Sequence, residues 1–307
     1  MLRFFYFYLR SMRLYYGFVT ATTVLAGLYY WHRFGFRADS SWQPTGWTIR
    51  DVVLLSMGFF AWGFNQIFSD WCDREEDAIN APHRPMVTGD LKPLPAFAVS
   101  SLGLLAIAAA GWMMSPWTLL FLAAGGALNI AYSLFKRIPV LNCLVYACAI
   151  SCCALFAIAG ISGRCPSPDE FGFVAVWIVP VHFLMCHNSY YKDVPGDRAA
   201  KVRTLQTLSP ALAKCVTMSL SGLAVLIALF TSILNHAFLP FAVLAAMIAA
   251  GFCLCVARNR FHLATCLNCQ LCVLLLHFSF WTATWPCAIA SLVAIQILFL
   301  WYDDEKE

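Results

Sequence analysis

The sequence predicts an all-α protein, a polytopic membrane helix bundle of nine or ten transmembrane helices forming one domain over residues 1–307. Three observations predict it. Of 307 residues, 61% are hydrophobic and 12% charged, about half the charged fraction of a soluble domain. Apolar runs long enough to cross a bilayer recur along the chain. The basic residues gather between alternate runs, as cytoplasmic loops do.

The runs read as spans at 13–32, 51–72, 93–114, 116–136, 138–161, 171–193, 210–234, 238–257, 262–281 and 284–302. The alternative for the last two is one span plus a re-entrant or surface piece. Residues 1–12, MLRFFYFYLRSM, are aromatic and basic and read as an interfacial N-terminal helix. They lack the small-residue cleavage site of a signal peptide. An N-terminus placed inside puts sixteen of the twenty Lys and Arg residues on one side. Only Arg33, Arg37, Arg50 and Arg164 fall on the other. The N-terminus and the loops after the second, fourth, sixth and eighth spans are therefore expected in the cytoplasm.

The fourteen cysteines mostly lie inside apolar runs, as Cys143, Cys152, Cys186 and Cys253 do, and read as small hydrophobes. CLNCQLC (266–272) contains a CxxC within a predicted span. It reads as small-residue helix packing rather than a metal or redox site.

The chemistry gathers on the expected cytoplasmic side. SDWCDREEDAINAPHRPMVTG (69–89) follows the second span and carries five acids between Asp70 and Asp77. On one helix Asp70, Asp73 and Asp77 share a face at i, i+3 and i+7. Such stacked charges repel, and a divalent cation would relieve them. Ligands that are all oxygen favour Mg²⁺ or Ca²⁺ over zinc. HNSYYKDVPGDRAAKVRTL (187–205) ends the sixth span on the same side, with Asp193 and Asp197 at i, i+4. Pro195 and Gly196 argue for a helix break there.

Around both clusters stand Arg84, Lys136, Arg137, Lys192, Arg198, Lys201 and Arg203. Carboxylates that hold Mg²⁺, among bases that take the remaining charge, suit a phosphate-rich ligand. The bases alone read rather as a solvated cytoplasmic rim that sets topology. Asn129, Asn142, His182, His187 and Asn188 are polar groups within spans. Each reads as functional or as an interhelical hydrogen bond.

These motifs resemble the UbiA superfamily of intramembrane prenyltransferases. SDWCDREEDAINAPHRPMVTG is similar to that family's NDxxDxxxD motif with its following Arg-Pro. Its wording is close to the chlorophyll-synthase and archaeal ether-lipid branches. YKDVPGDRAAKVRTL (191–205) resembles the second motif, DxxDxxxD running into GDR. AYSLFKR (131–137) resembles a third feature, YS followed by lysine. Order and spacing agree over 51–205. Two positions depart: Ser69 stands for the leading Asn, and Tyr190 for the leading Asp of the second motif.

The resemblance implies that Asp73 and Asp77, helped by Asp70 and Ser69, hold one Mg²⁺. It implies that Asp193 and Asp197 hold a second. Arg84, Tyr132, Lys136, Arg198 and Lys201 would contact the diphosphate of an isoprenoid donor. The implied activity is Mg²⁺-dependent prenyl transfer to a lipophilic, typically aromatic, acceptor at the membrane. The alternative is a cyclase or lyase of the same fold that ionises the donor without an acceptor. The allylic cation needs aromatic faces, for which Phe64, Trp71, Tyr146, Trp177, Tyr190 and Tyr191 are candidates. Partners are expected to be donor, acceptor and membrane lipid, with no nucleic acid and no obligatory protein partner.

Overall fold

A computed structural model describes residues 2–32, 48–234, 294 and 297. All regular elements among them are helical. In chain order they are α1 (Leu2–Met12), α2 (Leu14–Tyr30), α3 (Ile49–Cys72), α4 (Arg74–Asn80), α5 (Pro85–Thr88), α6 (Pro93–Met114) and α7 (Pro116–Phe135). There follow α8 (Leu141–Ser162), α9 (Pro168–Phe173), a π-helical turn (Val174–Ile178), α10 (Val179–Ala199), α11 (Leu205–Leu208) and α12 (Pro210–Leu234). The first seven predicted spans each overlap one of the long helices. The spans read at 238–257, 262–281 and 284–302 lie outside the described residues, apart from Ala294 and Ile297.

Four described helices are long and apolar enough to cross a membrane: Ile49–Cys72, Pro93–Met114, Leu141–Ser162 and Pro168–Tyr191. Their ends carry local stop and start chemistry. Thr48 caps α3 in a reciprocal capping box with Asp51, and Ser167 does the same for α9 with Glu170, satisfying the first backbone donors. Pro93 and Pro116 open α6 and α7, where a missing N–H costs nothing. Pro180 cannot donate to the carbonyl four residues earlier. The π-helical turn just before it absorbs that lost bond.

α8 is the central post, with most of its apolar window buried. It packs against α2, α7 and α10. Gly27 of α2 lies so close to α8 that a Cβ there would come within 2.4 Å of the Ala154 carbonyl oxygen. Such small-residue contact lets membrane helices approach without a solvent-driven core. Thr23 Oγ1 and His182 Nε2 lie 2.8 Å apart across α2 and α10. His187, Asn188 and Asn142 likewise bond to Ala213, Thr217 and the Cys143 backbone. Four of the five polar residues read within spans are thus interhelical or backbone ties.

α1 buries Tyr8, Ser11 and Met12 and exposes Leu2, Phe5, Tyr6 and Leu9. Tyr8 and Ser100 of α6 share a buried hydrogen bond of 2.8 Å. One face of α1 therefore packs on the bundle and the other is left exposed. Arg13 separates α1 from α2 with φ 43°, a left-handed conformation uncommon outside glycine.

Two local expectations change. Asp70, Asp73 and Asp77 do not ride one continuous helix, because α3 ends at Cys72, Asp73 is the junction and α4 starts at Arg74. Pro195 and Gly196 do not break α10, which continues to Ala199. The Gly196 N–H instead donates to Asn80 Oδ1 at 2.8 Å. A Cβ on Gly196 would stand 2.3 Å from that amide, so a larger residue there would press on the Asn80 side chain that ties α10 to α4.

Candidate active site

Docking α10 on α4 brings the two acidic motifs, distant in the chain, to one cavity of about 130 Å³. Asp73, Asp77, Asp193 and Asp197 all line it, with Glu76, Asn80, Arg84, Tyr132 and Lys136. Asp70 stands just behind, on the last turn of α3.

The first cluster is knitted to bases. Lys136 Nζ donates to Asp73 Oδ1 at 2.9 Å and also contacts Glu76. Burial opposes the ammonium's charge, yet Asp73 and Glu76 hold it protonated above lysine's ordinary range. Arg84 ion-pairs with Asp77. Arg13 and Gln66 both donate to Asp70 Oδ1, Gln66 at 2.8 Å. The second cluster is barer. Asp197 is 1% exposed, and among the described residues its carboxylate has one side-chain hydrogen bond, a long 3.5 Å contact from Thr204. Burial, with Asp193 alongside, pushes its carboxyl up to about 7 against the pull of Lys136.

The donor set suits a hard divalent cation. Five carboxylates face three cationic side chains around the cavity, an excess of negative charge that burial makes costly. Asp70 Oδ2 is buried with no hydrogen-bond partner among the described residues, and Asp77 Oδ2 has only its ion pair with Arg84. No three acidic, imidazole or thiol groups form a ready coordination sphere among the described residues. The bases stand between the carboxylates instead. Oxygen ligands of this kind fit Mg²⁺ better than softer metals.

Tyr132 and Lys136 sit one turn apart at the end of α7 and reach the cavity. Arg198 and Lys201 are exposed and do not line it. Lys201 takes a left-handed φ of 57° where the chain leaves α10. Tyr190, in place of the leading acid, shares a 2.7 Å hydrogen bond with the Tyr132 hydroxyl. Of the aromatics proposed for a cation, Tyr146 and Tyr190 line the cavity. Trp71 is exposed and covered by Arg74, whose guanidinium lies 3.8 Å from its ring centre. Sequence reading missed Arg13, Tyr16, Trp62 and Asn80 as cavity residues. Asn80 carried a signal, three residues beyond Asp77. Arg13 carried none, because 1–12 and 13–32 meet at that residue.

A second cavity, of about 200 Å³, is walled mainly by apolar side chains, including Val24, Met57, Ile107, Phe121 and Phe156. Trp62, Asn65 and Asn129 line both cavities.

A helical bundle thus brings paired acidic motifs to one cavity, with an apolar chamber beside it. Residues 23–265 match the UbiA prenyltransferase family, and the chain belongs to that family. It is 30% identical to the bacteriochlorophyll synthase 33 kDa chain of Rhodobacter capsulatus over 60% of this chain and 62% of that one. It is also 30% identical to digeranylgeranylglyceryl phosphate synthase of Natronomonas pharaonis, over 47% of this chain and 52% of that one. The matched region thus spans under two thirds of these relatives.

Solved structures share the fold. A UbiA homologue from Aeropyrum pernix K1 superposes with a TM-score of 0.64 at 16% identity, covering 92% of this chain and all of that one. A UbiA homologue from Archaeoglobus fulgidus bound to GPP and Mg²⁺ gives 0.60 at 18% identity, covering 94% and 99%.

Proposed function

We propose that this protein transfers an isoprenyl group from a prenyl diphosphate to a lipophilic acceptor within the membrane. The observation that carries the reading is the pairing of a charged cavity with an apolar chamber through a shared wall. That shape fits an amphiphile with a diphosphate head and a hydrocarbon tail. Relatives named as synthases of bacteriochlorophyll and of a digeranylgeranylglyceryl lipid support it.

Mg²⁺ bound by Asp73, Asp77, Asp193 and Asp197, with Asp70 behind, would neutralise the diphosphate and make it a competent leaving group. Lys136 and Arg84 leave their carboxylate partners to hold diphosphate oxygens. Tyr132 donates a hydrogen bond at the same end. The apolar chamber keeps water from the cation that forms when the allylic C–O bond breaks. The acceptor then supplies the electron pair of the new bond to carbon. We place the charged cavity on the cytoplasmic side, from the sixteen-to-four bias of basic residues.

The test is incubation of purified protein in lipid nanodiscs with geranyl or geranylgeranyl diphosphate and Mg²⁺. Diphosphate release that accelerates when lipid extract is added, with a prenylated lipid product, is expected. A cyclic hydrocarbon formed without acceptor would replace transfer by cyclisation. No release with any donor would sink both.

A further inference from the structure

The donor's head and tail meet at one carbon, C1, and that carbon must lie where the two cavities meet. Trp62, on α3, is the aromatic residue common to both linings. A buried indole N–H normally finds a partner, yet Trp62 Nε1 is buried with none among the described residues. Its neighbours are rings instead. Tyr16 lies 5.2 Å away between ring centres, and Tyr146 lies 6.3 Å away at 74°. Tyr146 in turn meets Tyr132 at 5.5 Å, and Tyr132 bonds to Tyr190. All five rings line the charged cavity. They come from α2, α3, α8, α7 and α10, so no single helix's periodicity accounts for the belt.

We infer that Tyr16, Trp62 and Tyr146 are catalytic residues, forming with Tyr132 and Tyr190 an aromatic collar whose π faces stabilise the allylic cation at C1. This deepens the transferase reading and rests on it. The C1–O bond breaks and its electron pair leaves on the diphosphate oxygen. Positive charge spreads over C1 and C3 of the allyl group, against the negative ring faces. The acceptor supplies the electron pair of the new C1 bond, and any proton it carries passes to the departing diphosphate. Trp62 carries the largest share, because indole is the strongest π partner for a cation and stands at the junction.

The test compares Trp62→Leu, Trp62→Phe and Tyr146→Leu in the full-length protein in nanodiscs. Two quantities are read: Mg²⁺-dependent diphosphate release from geranylgeranyl diphosphate, and affinity for its non-ionising thiolo analogue. Trp62→Leu should slow release roughly 10- to 30-fold while analogue affinity changes less than about threefold. Trp62→Phe keeps a ring face and should lose several-fold less. Tyr146→Leu should also raise the fraction of prenyl alcohol, the product of capture by water.

Release at the parental rate in Trp62→Leu, or a loss no greater than the loss of analogue affinity, would overturn the collar while the transferase reading stands. A parent that releases no diphosphate from any donor would overturn the transferase reading and the collar with it.

Discussion

The two acidic clusters share a cavity but differ in how their charge is met. On α3 and α4 the carboxylates are held by bases: Asp70 by Arg13, Asp77 by Arg84, and Asp73 by Lys136. On α10, among the described residues, Asp193 makes no ion pair and the Asp197 carboxylate accepts from Thr204 alone. The first cluster is a set of pairs that must be opened. The second is a standing negative potential, with Asp197 titrating near neutrality because of burial and Asp193. A cation should settle first on α10, and the diphosphate should then draw Lys136 and Arg84 from their partners. Because α4 and α10 touch through Asn80 and Gly196, the two halves act at one place.

The largest effect should come from removing one ligand from either cluster. Asp73→Ala and Asp193→Ala should each lower turnover by about 10²- to 10³-fold or more, with unchanged membrane insertion and yield. Calorimetric titration with Mg²⁺ in the absence of donor separates the clusters. Asp193→Ala should lose the heat of binding and Asp73→Ala should largely keep it. Equal losses would show that both clusters engage the ion from the start. Lys136→Met comes next. It should raise the donor KM roughly 30-fold, the size expected when a buried charge pair loses one member. Initial rates over a range of geranylgeranyl diphosphate concentrations would show it.

The helical framework was legible because membrane spans are long apolar runs, and length alone identifies them. The ends of α6 fall where Pro93 and the Ser115–Pro116 pair punctuate the sequence. The acidic motifs were legible because carboxylates are rare in such a chain. What the sequence hid are the ties across it. Arg13 meets Asp70 across 57 positions, and Lys136 meets Asp73 across 63. Asn80 and Gly196 are 116 apart. Nothing local specifies such pairs. Pro195 misled for a related reason: a break expected from the helix alone is overridden when a neighbouring helix supports that turn. The exposure of Arg198 and Lys201 was hidden in the same way, since both belong to the motif in sequence, yet Arg198 sits exposed on the last turn of α10 and Lys201 lies just beyond it.

Gly196→Ala tests the hinge between the clusters without touching any charge. Its Cβ would stand 2.3 Å from the Asn80 amide, so the Asn80 side chain must leave its bond to the Gly196 N–H or the helices must shift. Overpacking of this kind costs about 1–3 kcal/mol. The midpoint of thermal unfolding should fall, and kcat should drop about tenfold, because a shift of one ångström misplaces the ligands. Asn80→Ala in the same background opens the space. If it restores stability but not rate, the Asn80–Gly196 bond sets geometry as well as packing.

The smallest effect separates the cavity from its rim. Arg198 and Lys201 belong to the motif that resembles the family's second signature, yet both are exposed and outside the cavity lining. An exposed charge in water contributes about 1 kcal/mol or less, and salt screens it beyond about 10 Å. Arg198→Gln and Lys201→Gln should therefore raise the donor KM only two- to fivefold at low salt, with kcat unchanged. The difference should vanish near 0.5 M salt, whereas the Lys136→Met defect should persist, because its site is buried. A salt-resistant loss in Arg198→Gln, comparable with that of Lys136→Met, would mean that α10's end folds inward over the bound diphosphate. The contrast would then lie between an open and a closed second cluster, not between the cavity and its rim.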